Sequence, residues 1–115
     1  MTAGNYNIVA EQGATFTFAF TIDTDGTPWN LTGYKARMQV RPFVESTTTI
    51  FDLDETDGIA LGGVTGTVTV TRNATQMTAA KTGRHVYDLE LESGGGIVTR
   101  VLEGRFVIIP EVTQE

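Results

Sequence analysis

Hydrophobic and polar residues alternate along much of this chain, and the alternation is that of strands. Phe16, Phe18, Phe20 and Ile22 interleave with Thr15, Thr17, Ala19 and Thr21. A period of two places the aromatic set on one face, which predicts a half-buried strand. Asp25-Gly26-Thr27-Pro28 breaks it, because Asp-Gly is a turn pair and Pro28 has no N–H for a ladder. Tyr34, Ala36, Met38 and Val40 then alternate with Lys35, Arg37, Gln39 and Arg41, predicting a second strand with a basic outer face that Pro42 ends. Ile50, Phe51 and Leu53 suggest a shorter strand, and Thr67–Thr71 alternates cleanly. His85, Tyr87, Leu89 and Leu91 form another inward face, opposite Val86, Asp88, Glu90 and Glu92.

Between these runs, Asn73–Ala80 is the one helix-compatible segment, with Asn73 as its cap and Gly83 as its stop. Ser93-Gly94-Gly95-Gly96 predicts a hairpin turn, and the last strand runs from near Ile97 to Ile109. Its parity shifts around Gly104, which reads as a bulge or a bend between sheets. Ser46-Thr47-Thr48-Thr49 is a polar loop. About seven strands at this spacing, with no room for crossover helices, predict an all-β sandwich of antiparallel strands with one short helical turn. Tyr87, after the helical corner, predicts the tyrosine corner of immunoglobulin-like sandwiches, its hydroxyl bonded back to nearby backbone. The expectation is a single domain over residues 1–115, with 1–12 as an N-terminal arm or first strand and 110–115 as a short tail.

Composition narrows the function classes. At 115 residues the chain is long enough to bury a core without staples. It contains 0 Cys, which excludes disulfides, thiol chemistry and cysteine zinc sites. A net charge of −6 repels phosphate backbones and anionic membrane surfaces, so neither nucleic acid nor membrane is an expected partner. The opening MTAGNYNIVAEQ lacks the basic and apolar segments of a secretory signal.

No constellation for catalysis emerges. His85 is the sole histidine, and the only serines, Ser46 and Ser93, fall in loops or turns, so no triad is expected. Asp52–Gly58 is acid-rich, but counting from Asp52 the EF-hand positions for Gly and Glu hold Asp57 and Gly63. A looser calcium site or a carbohydrate-binding surface at Trp29 is the alternative to a solvated acidic turn. No cofactor, metal or catalytic residue is predicted. The candidate interface residues are Tyr6 and Ile8 in the N-terminal arm, Lys35, Arg37 and Arg41 on the basic strand face, and Trp29. Arg100 and Arg105 extend the basic set, which would suit an acidic partner surface. Trp29 reads as core, with an exposed anchor as its alternative.

Glu11-Gln12-Gly13-Ala14-Thr15-Phe16, Asp25-Gly26-Thr27-Pro28 and Asn30-Leu31-Thr32-Gly33-Tyr34-Lys35-Ala36-Arg37-Met38-Gln39-Val40-Arg41 follow in order. Together they resemble small tailed-phage virion proteins, and in particular the N-terminal domain of the phage upper baseplate protein family. Gly62–Val68, Tyr87–Leu91 and Arg100–Gly104 extend the resemblance over nearly the whole chain. It implies an immunoglobulin-like attachment module on a virion, made in the host cytoplasm, with other virion proteins and further copies of itself as partners, and no catalytic residue. The sequence ends at Glu115 without the family's following stalk or receptor-binding domain. That departure favours a capsid decoration or cement protein, with a tail or baseplate component as the alternative.

Overall fold

The alternating segments become strands of two facing sheets. The computed structural model describes residues 4–112, so the ends of the expected arm (1–3) and tail (113–115) lie outside the described residues. The strands are β1 (Gly4–Asn5), β2 (Ile8–Glu11), β3 (Phe16–Thr21), β4 (Asp23–Thr24), β5 (Thr27–Pro28), β6 (Lys35–Arg41), β7 (Phe51–Asp54) and β8 (Ile59–Leu61). After a 3-10 turn at Gly63–Thr65 come β9 (Thr67–Arg72), helix α1 (Ala74–Ala79), β10 (Gly83–Glu92) and β11 (Val98–Ile109). The larger sheet has the order β1-β11-β10-β6-β7, with β2 also on β11; the smaller is β3-β9-β8. The buried residues of both sheets form one core between them, an all-β sandwich, with the β4–β5 hairpin as a separate two-stranded ribbon.

The larger sheet is not wholly antiparallel. β1 and β2 run parallel to β11. Parallel neighbours need a long connection, and here the intervening domain is that connection. Two further strand pairs were not legible in the sequence. β4 and β5 close a hairpin over Asp25-Gly26, where both residues have positive φ. β8 is only three residues long, too short for an alternation to register.

The inward faces are those the periodicity predicts. Ala36, Met38, Val40, Leu53, Val68, Val70, Tyr87, Leu89 and Leu91 are buried. Phe106 lies at the centre, with the rings of Phe16, Phe51 and Tyr87 at centroid distances of 5.4, 6.1 and 6.2 Å. Edge-on aromatic contacts of this kind add to the burial of area. Phe16, Phe18 and Phe20 are only half-buried, because β3 lies at the margin of its sheet.

α1 carries the chain from one sheet to the other. Asn73 accepts the Gln76 N–H at 2.8 Å and Gln76 accepts the Asn73 N–H at 2.9 Å, a reciprocal cap that lets so short a helix form. The helix ends at Ala79, before Gly83, which instead opens β10. Met77, on its inner side, is fully buried.

Candidate functional site

The outer face of the larger sheet holds most of the predicted interface residues. Lys35 and Arg37 are exposed on β6, and Arg41 is half-buried, its guanidinium donating to the Ser46 carbonyl and to Gln39 Oε1. The basic strand is flanked on both sides by carboxylates. β7 sets Asp54 opposite Arg37, and β10 sets Glu90 opposite Arg37 and Glu92 opposite Lys35. Beyond β10, Arg100 faces Glu90. One row across four strands therefore reads Arg100, Glu90, Arg37, Asp54, alternating in sign. Arg100 also pairs with Asp88 and Glu103, each at 3.4 Å. The expected basic patch is thus a face of balanced charge, because tertiary pairing interleaves the basic strands with acidic ones. Such a face supplies register to a docked surface more than net attraction. The outward acids of β10 were legible in the sequence; their position between β6 and β11 was not.

Tyr6 and Ile8 separate. Tyr6 is 52% exposed, with its ring 5.2 Å from that of Phe18. Ile8 is a correction to the expected interface: it is 3% exposed and pairs across from Phe106, so its side chain is spent on the core. Trp29 is half-buried, packs against the core and donates from Nε1 to Thr24 Oγ1 at 2.8 Å. Gly66 makes that packing possible. A Cβ there would lie 2.6 Å from the Ile22 carbonyl and 3.0 Å from the Trp29 nitrogen.

Tyr87 does not form a local corner. Its hydroxyl donates to the Tyr6 carbonyl at 2.5 Å, across 81 residues of sequence. Burial, and then the neighbouring Tyr6, push its phenol up to about 12. The Tyr6 N–H donates to the Glu103 carbonyl at 2.9 Å, and the Arg105 N–H to Asn7 Oδ1 at 3.0 Å. These bonds clamp the N-terminal segment onto β11. Gly104 lets it approach: a Cβ there would lie 2.4 Å from the Tyr6 carbonyl oxygen. Gly104 is in register with Tyr87, and the bulge falls earlier, between Leu89 and Glu90, leaving Val101 as the extra residue.

Most of the remaining polar groups that the sequence singles out have structural partners, while Arg72 Nε and His85 Nδ1 are buried with none among the described residues. Asp54 accepts from the Thr56 N–H and hydroxyl at 2.8 and 2.6 Å, which holds its carboxyl below the usual carboxylate range. Asp57 pairs with the buried Arg72 at 3.3 Å, and Arg72 lies over the Phe51 ring at 5.7 Å. Among the described residues no three His, Cys, Asp or Glu side chains group as metal ligands. His85 is buried, its Nε2 2.8 Å from the Lys81 carbonyl. Ser93 Oγ accepts the Ile97 N–H within its hairpin turn, and Ser46 Oγ bonds to Thr48 within its loop.

The smaller sheet presents the opposite kind of surface. Thr17, Ala19 and Thr21 face outward on β3, beside Thr71, Thr69 and Thr67 on β9, and Ala60 on β8 continues the face. It carries no charge. Comparison with known proteins adds no relationship: no protein-family model matches the chain, and no curated protein matches it.

Proposed function

We propose that this chain is a non-enzymatic structural protein of a tailed-phage virion, a decoration or cement protein that docks on the capsid surface. The observation that carries the reading is the ordered resemblance from Glu11 to Arg41 to the phage upper baseplate family. Three physical features support it. The domain builds its core without disulfides, so it can fold in a reducing host cytoplasm and persist outside it. Asn73, Gln76, Asp54, Ser46 and Ser93 are engaged in caps and turns. The row of alternating charge on the larger sheet, Arg100-Glu90-Arg37-Asp54, suits a partner surface that must be met in one register, as on a symmetric lattice. Tyr6, Lys35 and Arg37 are the proposed contact residues.

A tail or baseplate position is the second reading, favoured by the identity of the resembled family. Copy number separates the two. Quantitative mass spectrometry of purified particles, against the major capsid protein, is expected to give on the order of hundreds of copies for an icosahedral decoration. Small multiples of three or six would place the protein in the tail. Absence from particles would overturn both.

A further inference from the structure

The two sheets end in four strand edges, and three of them are protected against pairing with another chain. β7 carries Asp52 and Asp54, which would meet their own copies with like charge. β8 is three residues long. The β1–β2 edge is interrupted at Tyr6 and Asn7, where the Tyr6 N–H and carbonyl are already bonded to Glu103 and Tyr87. β3 has none of these devices. It is six residues, FTFAFT, without Pro, charge or bulge, and among the described residues it is paired on one side only. Apart from its pairing with β9, none of its backbone groups bonds to another described residue.

We propose that β3 is a self-association edge, and that a second copy of this chain pairs with it antiparallel about a two-fold axis, joining the two three-stranded sheets into one. The segment Thr15-Phe16-Thr17-Phe18-Ala19-Phe20-Thr21 reads nearly the same in both directions about Phe18. With Phe18 on the axis, Phe16 faces the second copy's Phe20, Thr17 faces its Ala19, and Thr15 faces its Thr21. The period of two is kept, so all the phenylalanines lie on one side of the joined sheet and the small residues on the other. No charge approaches the axis: the nearest acids along the chain, Glu11 and Asp23, lie beyond both ends of β3. In a chain of net charge −6, this is where two copies meet with least repulsion.

An aromatic ladder flanks the same edge. Tyr6 lies 5.2 Å from Phe18, and Phe18 lies 5.6 Å from Phe20. Two such ladders would meet over the joined strands and draw the exposed Tyr6 ring out of water. Backbone pairing supplies geometry and the aromatics supply driving force. One strand and one short ladder bury less than the roughly 1,200 Å² of a standard stable interface, so the dimer is weak in dilute solution and favoured at high local concentration. This inference does not rest on the virion reading, and its failure would leave that reading standing.

Sedimentation equilibrium of the whole chain from about 1 µM to about 1 mM tests it. Wild type is expected to pass from monomer to dimer within that range and to grow no further. Ala19→Lys places a charge on the exposed side of β3 and is expected to move the transition to at least tenfold higher concentration, roughly 1.4 kcal/mol. Tyr6→Ala removes a side chain that makes no hydrogen bond to the described residues, and is expected to move it in the same direction. Ala60→Lys makes the same charge change on β8 and is expected to follow wild type. A wild type that stays monomeric, a shift with Ala60→Lys equal to that with Ala19→Lys, no shift with either β3-edge variant, or assemblies growing past the dimer would each overturn the proposal.

Discussion

Gly104→Ala adds one methyl group to a strand, a change that ordinarily stabilises by about 0.5–1 kcal/mol because alanine loses less backbone freedom on folding. Here the sign is expected to reverse. The new Cβ would lie 2.4 Å from the Tyr6 carbonyl oxygen and 2.9 Å from its carbon. Restoring an ordinary 3.4 Å contact requires the N-terminal segment to move away by about 1 Å. Backbone atoms cannot yield by a rotamer change, so the segment must shift bodily. Between the β1 and β2 pairings with β11, three hydrogen bonds hold it at Tyr6 and Asn7: Tyr87 to Tyr6 at 2.5 Å, Tyr6 to Glu103 at 2.9 Å and Arg105 to Asn7 at 3.0 Å. At about 1 kcal/mol each, losing all three costs about 3 kcal/mol, and the Gly104 φ of +158°, which alanine rarely adopts, removes the usual alanine gain. The net expectation is about 3 kcal/mol of destabilisation. Equilibrium urea unfolding reads this as a midpoint lowered by about 1–2 M. Tyr87→Phe removes one of the bonds while keeping the ring against Phe106, and is expected to cost about 1 kcal/mol. Hydrogen exchange should show the Tyr6 and Arg105 amides losing protection in Gly104→Ala. If that variant is as stable as wild type, with both amides still protected, the clamp is not where the N-terminal segment is held.

Ile8→Ala is expected to cost about 2–4 kcal/mol in the same unfolding assay, the range for a buried aliphatic; a change within about 0.5 kcal/mol would return Ile8 to the surface. Glu90→Lys turns two opposite-sign neighbours, Arg37 and Arg100, into like-sign ones, and is expected to cost about 1–2 kcal/mol. Thermal unfolding in about 1 M salt should recover most of that loss, since exposed pairs are screened; a loss indifferent to salt would mean the charge row is not its cause. Tyr87 predicts an alkaline limit. Its phenol ionises at 10.0 when exposed and at about 12 in the fold, so the unfolded chain releases the proton first. Its contribution is fully present below pH 10 and is lost as pH rises from there through about 12. The melting-temperature difference between wild type and Tyr87→Phe should shrink over that window, and a constant difference would refute the assignment.

Most of the sandwich was legible because its strands are half-buried. Alternation at Phe16–Ile22, Tyr34–Val40, Thr67–Thr71 and His85–Leu91 names both the element and its inward face, since a one-residue slip would bury the polar set. Asp25-Gly26 and Ser93–Gly96 marked turns through backbone conformations that other residues resist. Asn73 marked the helix through the one orphan N–H it satisfies. Ile8 was misjudged because four residues, Ile8–Glu11, are too few to show which side of a strand faces inward. The bulge was placed at Gly104 because a glycine in a strand signals either an irregular ladder or a close approach. Here it signals the approach of Tyr6, and Val101 takes the bulge.

The sequence by itself determined which residues form strands, which side of each is apolar, and where the chain turns, because these are local consequences of side-chain period and backbone freedom. Tertiary structure alone decided which strands are neighbours. That choice turned a basic strand face into one of balanced charge, by setting β6 between the acids of β7 and β10. It carried the Tyr87 hydroxyl to Tyr6 across the length of the chain. It also left β3, the least charged of the longer strands, at an open edge. Adjacency is a long-range property, fixed by how whole faces bury one another, and no local pattern encodes it.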